Sequence, residues 1–309
     1  MMTAEPPPST VAGGPASPLA ETVGLIGLGL VGTALAQRMI AAGLQVLGFD
    51  RRQEACRDWE QAGLGRVAAS VREIGQRCPQ VVLSVFDTSG VLEVVEGPAG
   101  LLDSGAKLIV DCSTGDPEAL QALAARLAVH AVDFIEAPLS GSSQQIAQGQ
   151  ATMLLGGETL VLARHASLLE TLSPRRVVVG GAGFGARAKL ATNLVLGLNR
   201  AVFAEGLVFA ETLGIAPQAF LELVLASPAR SEAAALKGPQ MVQGDFAPQS
   251  RIRQHLKDLE LMLAAAQRAG QSLPLTQAHA GLLRAAVAAG DGDLDNAAVV
   301  RQLQRMNAR

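Results

Sequence analysis

The fold is indicated first by the nonapeptide Gly24-Leu-Ile-Gly-Leu-Gly-Leu-Val-Gly32. Three of its glycines, Gly27, Gly29 and Gly32, lie between a short apolar run and an amphipathic segment. In a βαβ unit, the first glycine of this spacing allows a tight turn and the second lets the backbone approach a pyrophosphate. The third lets helix and strand pack closely. The anion then lies at a helix N-terminus, where free N–H groups and the helix dipole favour it. We therefore expect a dinucleotide site built from six consecutive residues: Gly27, Leu28, Gly29, Leu30, Val31 and Gly32.

An acidic residue at the end of the next predicted strand supports this interpretation. Asp50 follows the run 46–49 and comes 18 residues after Gly32, where a carboxylate accepts hydrogen bonds from the ribose hydroxyls. A carboxylate repels a 2′-phosphate, so the sequence favours NAD. Arg51 and Arg52 follow directly and are able to hold that phosphate, so NADP stays open, and Arg51 is included in the expected cofactor site.

The pattern on either side divides the chain into three segments. Residues 1–20 are rich in Pro, Ser, Gly and Ala and are expected to form a disordered tail. Residues 21–183 alternate short apolar runs with amphipathic segments, which predicts a Rossmann-type doubly wound α/β domain with a parallel sheet covered on both faces. Residues 184–309 show only helical patterns and are expected to form an all-helical domain for substrate binding and dimerisation. The predicted strands are 23–26, 46–49, 81–85, 108–111, 132–137, 151–155 and 176–179.

Composition narrows the classes of function. The 309 residues carry 25 basic and 28 acidic side chains, a net charge of -3 that gives no electrostatic reason to expect nucleic acid. The chain has no tyrosine, which excludes reductases whose proton donor is a tyrosine. Its four histidines and three cysteines show no Cys-x-x-Cys or His-x-x-x-His spacing, so no metal site is predicted. An odd number of cysteines indicates reduced thiols and a cytoplasmic protein.

The most apolar stretch is the predicted long helix around residues 190–213. Polar and charged residues interrupt it, so we expect no membrane span: Asn193, Asn199, Arg200, Glu205 and Glu211. At the start of this helix, Lys189 and Asn193 are four residues apart and share one face among apolar neighbours. Burial and the nearby helix N-terminus should lower the pKa of Lys189 towards the range useful for acid–base catalysis. Taken alone, the pair would favour a surface lysine on an amphipathic helix.

From about residue 22 to 305 the chain resembles the β-hydroxyacid dehydrogenases, which include 3-hydroxyisobutyrate dehydrogenase and tartronate semialdehyde reductase. The motifs that carry the resemblance are GLIGLGLVG (24–32), DCSTGDP (111–117), EAPLSGS (136–142), GAGFGARAKLATN (181–193), HLKDLELM (255–262) and DLDNAAVVRQL (293–303). The resemblance implies hydride transfer between NAD(P) and the hydroxyl-bearing carbon of a small 3-hydroxy acid, in a homodimer or homotetramer.

The resemblance also implies residue roles. Lys189 would be the catalytic acid and base, Asn193 would bind substrate, and Ser140 with Gly141 would hold its carboxylate. Lys257 would reach cofactor and substrate, whereas His255, two residues earlier, points elsewhere on a helix. The nicotinamide and its ribose would be lined by residues that follow two strands: Val85, Phe86, Ser113 and Gly115.

One departure leaves the substrate open. Ser142 stands where the family usually has a second glycine, and its hydroxyl would contact a more polar substrate or narrow the site. Two other functions also remain in view. An NADPH-dependent imine reductase shares the architecture, but Lys189 and Asp50 count against it. A non-catalytic nucleotide-binding module is the third alternative, and the presence of Lys189 and Asn193 counts against it.

Overall fold

A computed structural model describes residues 21–307 of the chain, so the predicted tail at 1–20 lies outside the described residues. Within that range the chain forms a sheet flanked by helices and then a helical bundle, which confirms the Rossmann-type fold followed by an all-helical part. The strands are β1 (Thr22–Ile26), β2 (Gln45–Phe49), β3 (Arg66–Val67), β4 (Gln80–Leu83), β5 (Leu108–Asp111), β6 (Asp133–Glu136), β7 (Leu139–Ser140), β8 (Thr152–Gly156) and β9 (Arg175–Gly180).

Helices follow most of the strands and then continue alone. Those of the α/β part are α1 (Leu30–Ala41), α2 (Gln53–Gln61), α3 (Val71–Arg77), α4 (Thr88–Glu96), α5 (Pro117–Val129), α6 (Ser143–Ala147), α7 (Thr159–Arg164) and α8 (Ala166–Leu172). Those of the helical part are α9 (Phe184–Thr212), α10 (Pro217–Ala226), α11 (Glu232–Gln243), α12 (Ile252–Arg268), α13 (Pro274–Ala288) and α14 (Val299–Asn307), with a 3-10 turn at Asn296–Ala298 before the last.

The sheet is parallel through most of its width. Its order is β3-β2-β1-β4-β5-β6-β8-β7, with β9 also paired to β8, and the first six strands run parallel. Strand β8 runs antiparallel to β6 and β7, which corrects the expectation of a wholly parallel sheet. The reversal arises because the chain turns back through β7 and the five-residue helix α6 instead of a full crossover helix.

The central strands are apolar along their whole length because helices cover both faces of the sheet. All four residues of β5 are buried, as are most of β1 and β4. Separate apolar clusters fill the two sides, one around Leu35 and Met39 of α1, the other around Leu123 and Leu127 of α5. The strand ends that line the site are therefore held in a rigid, close-packed layer.

Some elements differ from the sequence-based expectation. The strand predicted at 81–85 ends at Leu83, because Asp87 caps the start of α4 by accepting a hydrogen bond from the Gly90 N–H. Helix α3 was not predicted, although Ser70 and Glu73 form an N-terminal capping pattern before it. The segment between β8 and β9, whose apolar pattern predicts one helix near 160–172, forms two helices, α7 and α8, that meet at His165.

Helix α9 joins the two halves of the molecule. By length and composition alone it is apolar enough to cross a membrane, but half of its most apolar window is buried inside the protein. Its first turns pack on β6, β7 and β8, and its later turns form the centre of the helical bundle. The carboxylate of Glu136, at the end of β6, accepts hydrogen bonds from the Gly183 and Ala186 N–H groups at the start of α9. This buried contact sets where the helix begins and which face it turns towards the sheet.

Candidate active site

A continuous cleft of about 1420 Å³ runs from the carboxyl ends of the central strands into the helical bundle. Open α/β sheets bind ligands at this edge. Its outer part is lined by the glycine loop and by the segments after β4 and β5, and its inner part by α9, α11 and α12. The cleft therefore places the predicted cofactor-binding loop and the predicted acid–base lysine in one space.

The glycine loop fits the pyrophosphate of a dinucleotide. A side chain at Gly27, where φ is +98°, would clash with the Ser84 carbonyl, and one at Gly32 would clash with the Gly27 carbonyl. Gly29 has open space beside it, and no side chain caps the first N–H groups of α1. Those N–H groups are available to an anion. Of the six predicted loop residues, four line the cleft: Gly27, Gly29, Leu30 and Val31.

The other two loop residues act from behind the cleft. Leu28 packs in the core, and its backbone N–H donates a hydrogen bond of 2.9 Å to Asp50 Oδ2. Gly32 packs against the turn at Gly27. Sequence reasoning placed all six in the site because the motif is contiguous, whereas a tight turn exposes only part of it.

Asp50 lies at the edge of the cleft and is already paired. Arg52 forms a two-point contact with it, at 3.1 Å from Nε to Oδ1 and 2.9 Å from Nη2 to Oδ2. Despite partial burial, hydrogen bonds from Arg52 and from the Leu28 N–H lower the pKa of Asp50, so the carboxylate is charged. Arg51 also lines the cleft but does not make this contact. Arg52, and not Arg51, therefore partly neutralises the Asp50 carboxylate beside the expected ribose position.

The opposite side of the outer cleft is formed by the segments after β4 and β5. Val85, Phe86 and Ser113 line it, and the Ser113 hydroxyl accepts a hydrogen bond of 3.0 Å from the Val85 N–H. The backbone N–H of Ser113 donates to the buried Asp111 carboxylate at 2.9 Å. Gly115 is not part of the lining and packs against α5. These contacts fix the segments where the nicotinamide is expected.

Lys257 ties the helical part to these same segments. Its Nζ donates hydrogen bonds to the Phe86 carbonyl at 2.9 Å and the Thr114 carbonyl at 2.7 Å. It also lies 3.0 Å from Asp258 Oδ1. It is not among the residues that line the cleft, so its predicted contact with cofactor and substrate remains a prediction.

Lys189 is buried in the wall between the outer and inner parts of the cleft. Its Nζ donates a hydrogen bond of 2.5 Å to the Leu139 carbonyl. Burial lowers the pKa of Lys189 to about 8; the nearby Asp258 opposes this shift and Lys257 adds to it. The direction expected from the sequence is confirmed, with burial as the main cause. An amine of this pKa gains and loses a proton near neutral pH.

Asn193 lies one turn further along α9 and is also buried in the lining. Its Nδ2 donates a hydrogen bond of 2.9 Å to Asp258 Oδ2 on α12. Asp258 thus holds Asn193 with one oxygen and pairs with Lys257 through the other. The amide is fixed beside the lysine, as the four-residue spacing predicted.

The predicted carboxylate-binding loop, Ser140 to Ser142, lies directly beside Lys189, because Leu139 immediately precedes it. All three residues line the cleft. Ser142 also caps α6: its Oγ accepts from the Gln145 N–H at 3.3 Å, and its own N–H donates to Gln145 Oε1 at 2.9 Å. The unusual serine is therefore part of the loop's internal structure.

The inner end of the cleft contains ionisable groups that sequence reasoning did not assign to the site. Arg200 of α9, Lys237 of α11 and His255 of α12 are all buried and line it. Lys237 pairs with the fully buried Asp295 at 2.9 Å. His255 faces this cavity while Lys257 reaches the strand ends, so the two do point apart.

The sequence signal that could have placed Arg200 in the site is its spacing from Lys189. Arg200 follows Lys189 by 11 residues, about three helical turns, and so shares its face. Among residues 21–307, no cluster of three or more potential metal ligands is present.

Comparison with known proteins covers almost the whole described chain. Residues 22–181 match the family model described as the NAD binding domain of 6-phosphogluconate dehydrogenase. Residues 183–303 match the model described as NAD-binding of NADP-dependent 3-hydroxyisobutyrate dehydrogenase. The two matches meet at the start of α9, where the sheet gives way to the helical bundle.

Individual relatives agree with the family models. L-threonate dehydrogenase from Cupriavidus necator is 30% identical over 92% of this chain and 96% of its own length. The 2-hydroxy-3-oxopropionate reductase of Escherichia coli is 30% identical over 92% of this chain and 97% of its own. The crystal structure of 3-hydroxyisobutyrate dehydrogenase from Salmonella typhimurium is 27% identical, with a TM-score of 0.81 over 91% of this chain and 99% of that one.

Proposed function

The chain belongs to the β-hydroxyacid dehydrogenase family, and we propose that it interconverts a small 3-hydroxy acid and its carbonyl form with Lys189 as the general acid and base. One observation carries the assignment of that role. The side-chain amine of Lys189 lines the cleft and contacts the Leu139 carbonyl, directly before the predicted carboxylate-binding loop, and burial brings its pKa to about 8.

Bound NAD(P) supplies the hydride acceptor in oxidation and the hydride donor in reduction. In oxidation, the carbinol carbon loses a hydride, the hydroxyl loses a proton, and a carbonyl forms. Neutral Lys189 takes the hydroxyl proton; in reduction its ammonium form returns a proton to the developing alkoxide. The Leu139 carbonyl accepts one N–H of the amine and so orients its lone pair. The held amide of Asn193 and the loop at Ser140 and Gly141 would position the hydroxyl and the carboxylate.

We propose NAD as the preferred cofactor. The Asp50 carboxylate is charged and lies beside the glycine loop, where it favours free ribose hydroxyls over a 2′-phosphate. Arg52 neutralises part of that charge, and its side chain is 59% exposed. The preference is therefore expected to be moderate, with NADP also used.

We also propose that the enzyme is a cytoplasmic homodimer or homotetramer. Helix α9 carries exposed apolar side chains every seventh residue, at Val195, Val202 and Phe209, on the outside of the bundle. A stripe with this repeat is typical of a surface that packs against another helix. A second copy of the chain is the partner that the resemblance implies.

Replacing Lys189 tests the assignment of the acid and base. Lys189→Ala should lower kcat about 10²–10⁴-fold, the usual contribution of a positioned proton-transfer group. NAD binding, measured by fluorescence titration, should change little, because Lys189 contacts the Leu139 carbonyl and makes no hydrogen bond to the glycine loop. Arg187→Ala, an exposed residue of the same helix, is the matched control and should retain activity. Near-normal turnover in Lys189→Ala would refute the role.

The pH dependence should differ between the two directions. Oxidation needs the neutral amine, so its kcat/KM should rise as pH increases through about 8. Reduction needs the ammonium form, so its kcat/KM should fall through the same region. Steady-state rates from pH 6 to 10 check both limbs. If kcat/KM rose with pH in both directions of the reaction, or fell in both, proton transfer by Lys189 would be contradicted.

Removing Arg52 should sharpen the cofactor preference. Arg52→Ala leaves the Asp50 carboxylate unneutralised, so the ratio of kcat/KM for NAD over NADP should increase about tenfold, equivalent to about 1.4 kcal/mol. Arg51→Ala, which leaves the ion pair intact, is the control and should shift the ratio less. An increase in relative NADP use by Arg52→Ala would show that Asp50 does not face the ribose.

Light scattering on the purified protein checks the assembly. The wild type should show two or four times the mass of one chain, and the double variant Val202→Glu, Phe209→Glu should shift towards a single chain. Leu275→Glu places the same charge on an exposed apolar position of α13 and should leave the mass unchanged. A wild-type mass of one chain would contradict the proposal.

A further inference from the structure

Arg200 is a buried cation that finds no partner within the described part of the chain. It is 4% exposed, and within residues 21–307 its Nε and Nη2 have no hydrogen-bond acceptor. No carboxylate in that part of the chain lies within ion-pair distance of its guanidinium. Burial lowers the pKa of Arg200 to about 10, with only the charge of Asp295 opposing the shift. It therefore stays charged at neutral pH, and such a charge is costly to bury without a partner.

Both buried carboxylates near the inner cleft are already committed. Asp258 pairs with Lys257 at 3.0 Å and accepts from Asn193. Asp295 pairs with Lys237 at 2.9 Å and also accepts backbone N–H groups of Gln249 and Ala297. Neither is free to neutralise Arg200.

The other basic residue at the inner end is equally occupied. Besides Asp295, Lys237 Nζ contacts Gln240 Oε1 at 2.9 Å and Gln249 Oε1 at 3.1 Å, which uses its three donors. Of Lys237 and Arg200, the two buried cations at the inner end, Arg200 is therefore the one that retains free donors. A guanidinium presents them as a planar fork that matches a carboxylate or phosphate.

The position of Arg200 relative to the reacting centre is set by one helix. Lys189, Asn193 and Arg200 lie on the same face of α9 and all line the cleft. Their Cα atoms span about 16 Å from first to last at about 1.5 Å per residue. Burial lowers the pKa of His255 on the facing helix, and the charges of Arg200 and Lys189 add to that shift, so the imidazole lies within electrostatic range of both cations.

We infer that Arg200 binds a second anionic group, a carboxylate or a phosphate, at the end of the substrate away from the reacting hydroxy acid. The inference rests on the proposed function, because it assumes that the first carboxylate lies at the Ser140 loop beside Lys189. A substrate with one carboxylate leaves the guanidinium buried and unpaired. The substrate class is therefore a 3-hydroxy acid with a distal acidic group, and Arg200 is the residue that determines this specificity.

Matched pairs of substrates test this directly. 3-Hydroxyglutarate and 3-hydroxypentanoate share a five-carbon skeleton and differ in a terminal carboxylate; 3-hydroxyadipate and 3-hydroxyhexanoate form the six-carbon pair. The 4-phosphate ester of 3,4-dihydroxybutanoate tests a distal phosphate, with 3,4-dihydroxybutanoate itself as its counterpart. In the wild type we expect kcat/KM to be at least about 100-fold higher for the substrate with the distal acidic group than for its counterpart with a single carboxylate, and the better substrate identifies the distal group.

Three variants connect that preference to Arg200. Arg200→Met should abolish it, with kcat/KM for the diacid falling at least 100-fold and that for the monoacid changing less than threefold. Arg200→Lys should retain part of the preference, and Arg187→Met, on the exposed side of the same helix, should retain all of it. Without ligand, the melting temperature of Arg200→Met should equal or exceed that of the wild type, because an unpaired buried charge is lost.

The outcomes separate the two proposals. A wild type that prefers the monoacids, or an unchanged preference in Arg200→Met, would overturn the role of Arg200 while leaving the dehydrogenase activity standing. If no hydroxy acid reacts, the proposed function fails instead. In that case glutarate, a non-reacting diacid, is the probe: protection from thermal unfolding in the wild type and not in Arg200→Met supports the anion site, and equal or no protection in both refutes it.

Discussion

The geometry of the site depends on the buried carboxylate of Glu136. This group ends β6 and accepts two N–H groups from the first turn of α9, so it does for that helix what an N-terminal cap would do, from another part of the fold. Burial raises the pKa of Glu136, and the two N–H groups counteract that effect. Because the contact fixes both the starting point and the rotation of α9, it determines where Lys189 emerges six residues after Gly183. The sheet therefore positions the residue that we propose as the acid and base, without contributing one itself.

Burial has opposite consequences for the two cations that share the inner face of α9. A lysine responds to desolvation by giving up its proton more easily, so Lys189 becomes a reagent that changes state near neutral pH. An arginine holds its proton over the whole physiological range, so Arg200 remains a fixed charge that requires a counterion. The same apolar surroundings thus make Lys189 suited to proton transfer and Arg200 suited to binding an anionic group of the substrate. Exchanging the two residue types would remove both properties.

The parts of this molecule that could be predicted from sequence are those encoded by local patterns. The glycine spacing, Asp50 and the four-residue interval between Lys189 and Asn193 each specify a local geometry, and the structure places them as expected. The direction of β8 was missed, because the hydrophobic pattern of a buried strand does not record its orientation. Glu136 lay within a recognised motif without an evident task, since its partners are 47 and 50 residues away. In the sequence, Arg200 only interrupts an apolar stretch. That it lacks a counterion in the structure depends on which carboxylates from other parts of the chain are already paired.

Lys189, Asn193 and Arg200 occupy one uninterrupted helix. The distance between Lys189 and Arg200 is therefore fixed by the number of residues that separate them. An added or deleted residue between positions 189 and 200 would rotate everything beyond it by about 100°, turning the arginine out of the cavity and an apolar surface residue into it. With Arg200 in its proposed role, we expect substrate preference to change through exchanged side chains along α9 and its neighbours, and not through a change in the length of that segment. Insertions and deletions should accumulate instead in the loops that surround the cleft.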